Sequence, residues 1–186
     1  MAEEAHFFDS RQRYLLFVTT TNEKAVIAEK LFHEIEDLKP SKPALKIFDA
    51  GVGDGAVLMN VLRICHQKFP TIPFYVSCKD VSMEDARITI EKLGDRFVEH
   101  PNMVFVISNL HYSEAGFLKS NNSKKQEKMN WNSLELDGNS SFGFYEQLRK
   151  LGPILRDTWR VEENENGNTT YEQPSTVVIY RKDQEF

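Results

Sequence analysis

Apolar positions along the chain fall into short runs whose period alternates between that of a helix and that of a buried strand. Val26, Ile27, Leu31, Ile35 and Leu38 recur at helical spacing around the polar Lys30 and Glu34, which predicts an amphipathic helix. Thr20 and Glu23 stand ahead of it at capping-box spacing, and Pro40 and Pro43 end it. Residues 45–50 read as a short buried strand, after which glycines at 51, 53 and 55 turn the chain. Val57, Leu58, Val61, Leu62 and Cys65 mark a second helix over 56–69, closed by Pro70 and Pro73. A second strand follows over 74–78. A third helix over 83–93 is entered from Ser82 as N-cap, with Asp85 in an acidic first turn, and 103–107 gives a third strand.

Strands alternating with helices at this spacing predict an α/β fold, a doubly wound and mainly parallel sheet with helices on both faces. The pattern changes after Phe117. Residues 119–128 are lysines, asparagines, serines and other polar side chains with nothing apolar among them, which predicts a solvated loop. Residues 144–155 are helical in pattern with a break at Gly152-Pro153. The turn signal Asn166-Gly167 lies between strand-like runs at 159–161 and 175–180, predicting a C-terminal antiparallel hairpin. Phe7, Phe8, Tyr14 and Phe17, with Arg11 and Arg13, predict an amphipathic N-terminal segment that packs on the domain. The chain thus reads as one domain: an N-terminal helical segment (1–44), a βαβ core (45–118), a polar loop (119–131), then a helix and hairpin (132–186).

Composition narrows the function classes. The 186 residues, 40% hydrophobic and 27% charged, suffice for one soluble core. A net charge of -5 argues against a dedicated nucleic-acid binder, which carries a basic face. Cys65 and Cys78 lack metal-ligand spacing and read as buried small hydrophobes, so no metal is expected. No apolar run reaches the roughly 18 residues of a membrane span, and the acidic N-terminus has no signal-peptide core. The expectation is a cytoplasmic protein.

The candidate chemistry lies in Asp49-Ala50-Gly51-Val52-Gly53-Asp54-Gly55, which follows a strand and opens a helix. Glycines there let the backbone take positive φ and a ligand approach the main chain, beside the free N–H groups of a helix start. Gly51, Gly53 and Ala56 also satisfy a loose dinucleotide fingerprint. Asp49 separates the two readings, because a carboxylate there suits a cationic amino group and disfavours a pyrophosphate.

Asp-x-Gly-x-Gly-x-Gly after an apolar strand resembles motif I of the class I S-adenosylmethionine-dependent methyltransferases. The resemblance implies that Asp49 faces the methionine amino group and that Gly51, Gly53 and Gly55 pass under the cofactor. It places the acid that holds both ribose hydroxyls at Asp80, with Val81 packing on the adenine. Asn109 stands where that family usually has an aspartate near the adenine amino group, and would serve through its side-chain carbonyl. Asn109-Leu110-His111-Tyr112 is accordingly the adenine-side loop. His111 is a possible general base and the plainer reading is a solvated side chain. A complete domain of that family has seven strands, with the fourth and fifth beside the first. Only three parallel strands and a hairpin are legible here, which leaves two readings: a later segment covers the first strand, or the chain is a shortened member. Residues 175–180 are the best segment to cover the otherwise exposed edge of the first strand.

The implied function is transfer of a methyl group from S-adenosylmethionine to an unidentified acceptor, a small molecule or a protein, by in-line displacement that needs no dedicated acid–base pair. Two other functions stay open: a non-catalytic module that kept the cofactor site, and a nicotinamide-dependent oxidoreductase using Gly51, Gly53 and Ala56.

Overall fold

The computed structural model describes residues 23–163 and 169–184. In chain order its elements are α1 (Glu23–Glu36), β1 (Leu45–Asp49), α2 (Ala56–Lys68), β2 (Phe74–Lys79), α3 (Met83–Glu91), α4 (Leu93–Glu99) and β3 (Met103–Ser108). Two one-turn helices follow, α5 (Tyr112–Ala115) and α6 (Ser123–Gln126), then β4 (Asn130–Leu136), α7 (Ser141–Leu148), α8 (Leu151–Thr158), β5 (Val161–Glu163), β6 (Thr169–Tyr171) and β7 (Ser175–Arg181). β1, α2, β2, α3 and β3 stand within two residues of their predicted bounds, because local punctuation sets them. Ser82 caps α3 through its Oγ, which accepts the Asp85 N–H at 3.3 Å. Pro153 is the third residue of α8, where a helix needs no N–H, so the break falls just before it, at Arg149 and Lys150.

The five strands of the main sheet run in the order β1-β2-β3-β7-β4. β1, β2 and β3 are mutually parallel, β7 runs antiparallel to β3, and β4 is parallel to β7. Residues 175–181 therefore lie beside β3. This corrects their expected place beside β1, and β1 is left as an edge. The hairpin exists, but it pairs β5 with β6 in a separate two-stranded sheet and does not include 175–180. Asn166 and Gly167 lie outside the described residues, as does the aromatic N-terminal segment with Phe7, Phe8, Tyr14 and Phe17, and so does Thr20.

Register partners send their side chains to the same face of a sheet. One face carries Leu45 and Ile47, Phe74, Val76 and Cys78, Met103, Phe105 and Ile107, Val177 and Ile179, and Leu134 and Leu136. Those residues form the main core together with Ile35 of α1, Leu58 and Leu62 of α2, Ile90 of α3, Phe97 of α4, Phe144 of α7 and Leu155 of α8. No strand residue of the opposite row joins that core; there Phe48 and Trp131 are 46% and 54% exposed. Among the described residues, then, the long helices form one layer on one face, where helices on both faces were expected. The reason is topological. Successive crossovers share one hand, so steps β1→β2→β3 in a single direction keep every connecting helix on one side. A second layer requires the strand order to reverse at a switch point.

Among the described residues no helix is long and apolar enough to cross a membrane. Cys65 and Cys78 are buried and unpaired, as their settings predict, and burial pushes the Cys65 thiol up to about 11. Those residues also hold no His, Cys, Asp and Glu cluster suited to a metal ion.

Candidate functional site

The glycine loop forms where β1 leaves the sheet. Asp49, its last residue, accepts the Gly51 N–H at 3.1 Å through Oδ1, an Asx turn that reverses the chain. Gly53 and Gly55 have φ of +53° and +75°, the left-handed region that glycine enters without steric cost. Gly55 is also tightly packed, since a Cβ there would stand 2.7 Å from Thr89 Oγ1. Gly51 differs. It has no positive φ, and no atom lies within 4 Å of where its Cβ would be. Nothing inside the described chain requires glycine at 51.

The loop is clamped from β2 and α3. Val52 N donates to Lys79 O at 3.0 Å, Gly53 N to Asp80 Oδ2 at 2.9 Å, and Thr89 Oγ1 to Gly53 O at 2.8 Å. Asp80 Oδ1 accepts the Ser82 N–H at 2.8 Å, so each carboxylate oxygen holds one amide and keeps lone-pair capacity for another donor. Burial pushes the Asp80 carboxyl above its ordinary range, against the two amide bonds that stabilise its anion. Cys78 is fully buried, and burial, reinforced by the negative charges of Asp49 and Asp80, raises its thiol well above the normal value.

Asp54 is a position that the motif reading left without a role, and it braces the loop. Its Oδ1 accepts the Lys24 ammonium at 2.5 Å and the Ala56 N–H at 3.2 Å, while Lys92 Nζ donates to its carbonyl at 2.7 Å and its Oδ2 at 3.2 Å. Burial works to raise its pKa, but Lys24, the Ala56 amide and Lys92 together hold it below the usual carboxylate value. Asp54 thus ties the loop to α1 and to the α3–α4 joint, and it occupies the start of α2, whose N-cap Gly55 offers no side chain. An acid in a glycine loop with lysines far off in sequence carries no local signal of that pairing.

The adenine-side residues separate. Val81 follows Asp80 directly and is half-buried. Asn109 is buried, and its amide is committed: Nδ2 donates to Gln173 O at 2.9 Å and Oδ1 accepts the Ser175 N–H at 2.7 Å. The carbonyl expected to meet an adenine amino group also braces β7 against β3. His111 caps α5, its Nδ1 lying 2.9 Å from Ser113 Oγ, and Tyr112 is exposed. The loop after β3 is held by a buried carboxylate, Glu114. It accepts Tyr171 Oη at 2.8 Å, Asn121 N at 2.6 Å, His111 N at 3.1 Å and Ser120 Oγ at 3.3 Å. Burial raises the Tyr171 hydroxyl to about 12.

Asp49, Gly51, Gly53, Gly55, Asp80 and Val81 therefore gather at the carboxyl ends of two adjacent parallel strands, and Asn109 follows β3 with its amide bonded to Gln173 and Ser175. A separate groove of about 590 Å³, lined by Met59, Arg63, Asp95, Phe142 and Tyr145 among others, includes none of these residues. No protein-family model matches the chain, no curated protein matches it in sequence, and no solved structure matches it in fold at a significant level.

Proposed function

We propose that the chain binds S-adenosylmethionine over residues 51–55 and against Asp80, and transfers its methyl group to a small-molecule or protein acceptor. One observation carries the reading. Asp49, the glycine loop and Asp80 converge at the carboxyl edge of β1 and β2, the usual ligand edge of a parallel sheet, with Gly53 N fixed on Asp80 and the space over Gly51 open. When bound, the cofactor supplies a methyl group on a positively charged sulfur, ready for in-line displacement by an acceptor lone pair.

The residues fit that group as follows. Asp49 Oδ2 carries no hydrogen bond among the described residues and offers its charge to a cationic amino group. Asp80 has lone pairs left for two ribose hydroxyls, and Val81 offers an apolar wall to a purine. Asn109 Oδ1 already accepts Ser175 N, which leaves it one lone pair for an adenine amino group. What remains for catalysis is orientation: holding donor and acceptor in line lowers the barrier without an acid–base pair. Dinucleotide binding is disfavoured by Asp54, because the start of α2 that would cradle a pyrophosphate already holds a carboxylate.

A second reading, a module that binds the cofactor without catalysis, is favoured by the position of β1 at the sheet edge, with no strand on its far side among the described residues to carry acceptor contacts. Calorimetric titration with S-adenosylhomocysteine, with NADH as control, tests both. Saturable binding of the first alone is expected. Asp80→Asn is expected to weaken it by about 1.5–3 kcal/mol, the scale of hydrogen bonds to a charged group. No binding by the folded chain would remove the proposal. Binding without methyl transfer across small-molecule and peptide acceptors would select the second reading.

A further inference from the structure

We propose that Trp159, the residue that ends α8, is a positioning residue that fixes Asp80 toward its ligand. The inference rests on the reading of Asp80 as the ligand-holding acid. Asp80 stands one residue beyond β2, where the chain turns toward α3. Its N–H donates to Ser108 O at 3.0 Å, and its carbonyl accepts Trp159 Nε1 at 3.0 Å, from 79 residues away in sequence. Both carboxylate oxygens accept backbone amides, from Gly53 and Ser82. The Asp80 backbone is thus held from two sides, by β3 and by an indole.

Trp159 can hold that bond rigidly. It is 3% exposed, belongs to the main core, and closes α8 with its own N–H on Leu155 O at 2.8 Å. An indole N–H only donates, so the bond has one direction and one partner. Without it, the half-buried Asp80 carbonyl loses its donor and the turn through Ser82 loosens, which shifts the carboxylate relative to the clamped Gly53 amide. The chain beyond Trp159 enters β5 two residues later, so the hairpin and the ligand acid share one anchor.

Trp159 is also one of only two tryptophans, and the other, Trp131, is largely exposed on the open face. A ligand that engages Asp80 changes the field at the indole bonded to its carbonyl, so Trp159 emission reports occupancy. The test uses the full chain as wild type, Trp131→Phe and Trp159→Phe, titrated with S-adenosylhomocysteine by calorimetry and by indole emission. Trp131→Phe is expected to show a saturable emission change with the calorimetric midpoint. Trp159→Phe is expected to unfold cooperatively but bind roughly 5- to 10-fold more weakly, the loss of one hydrogen bond. Unchanged affinity in folded Trp159→Phe overturns the inference, whatever the emission does. Should that variant fail to fold, a flat Trp131→Phe emission trace at saturating ligand overturns it instead. Absence of binding by wild type removes the underlying reading of Asp80, and the inference with it, which is a different result from either.

Discussion

Acidification is expected to destabilise the fold through one histidine, in a window set by its burial. His100 is 3% exposed, stacked on Phe74 with ring centroids 3.6 Å apart, and its Nε2 lies 2.9 Å from Ile72 O. A carbonyl only accepts, so Nε2 carries the proton, and Nδ1 accepts from His66 Nδ1 at 2.9 Å. Burial, with His66 alongside, lowers the His100 pKa to about 4 although the Ile72 bond favours its cation. In the unfolded chain the same imidazole titrates near its ordinary 6.5. Between those two values the unfolded state binds a proton that the folded state refuses, so stability rises with pH through the window and is lost as pH falls. Integrating over one site gives a loss of about 2 kcal/mol from pH 7 to 5, and about 3 kcal/mol by pH 4. Urea unfolding followed by circular dichroism at pH 7, 6 and 5 measures it, with His100→Gln as the non-titrating comparison. Carboxylates titrate in both proteins and cancel in the difference. Equal pH slopes for wild type and variant would refute the reasoning.

Gly55→Ala is expected to cost on the order of 1–3 kcal/mol, from positive φ and the 2.7 Å approach to Thr89 Oγ1, and thermal melts should register it. Gly51→Ala meets no such obstacle, so its melting temperature should stay near wild type while its affinity for S-adenosylhomocysteine falls; a wild-type affinity there would show that no ligand crosses Gly51. Thr176 is fully buried on β7 and its Oγ1 has no hydrogen-bond partner among the described residues, so Thr176→Val is expected to stabilise by about 1 kcal/mol, and a lower denaturation midpoint would contradict that accounting.

The parts of this fold that were legible in the sequence are those set by neighbours along the chain. Pro40, Pro43, Pro70 and Pro73 and the glycines of the loop bound β1, α2 and β2 almost where they stand. Convergence of Asp49 and Asp80 followed, because both lie at strand ends of one βαβ unit. The rest depends on partners that no local pattern names. β4 escaped notice because its inward positions begin with Asn130 and Asn132, so its alternation is polar at the end nearest the site. The 175–181 strand was recognised, but its choice of β3 over β1 is a long-range matter. The bracing role of Asn109 was not legible because its partners, Gln173 and Ser175, lie more than sixty residues on. Even the first helix is only half what its stripe promised, for Val26, Ile27 and Leu31 stay 37–40% exposed while Ile35 is buried.

The strand order also decides which contacts can carry a ligand. In a sheet whose order reverses beside its first strand, a ligand at that strand's end is held from both sides. Here the order proceeds without reversal from β1 to β3, so β1 is an edge, short and with Lys46 exposed on the open face, features that blunt edge pairing. Among the described residues, a ligand over residues 51–55 then meets strand-supported protein on the β2–α3 flank, while Lys24 of α1 reaches the loop at Asp54. The β2–α3 flank supplies Asp80 and Val81 directly and steadies the loop itself through Lys79 O, Asp80 Oδ2 and Thr89 Oγ1. Asp49, on the edge strand, pairs with β2 through its backbone, and among the described residues its carboxylate is held by its own turn alone. Binding energy should therefore be distributed unequally between the two carboxylates. Under the proposed reading, Asp80→Asn is expected to cost more affinity for S-adenosylhomocysteine than Asp49→Asn, because Asp80 is held by two amides and an indole.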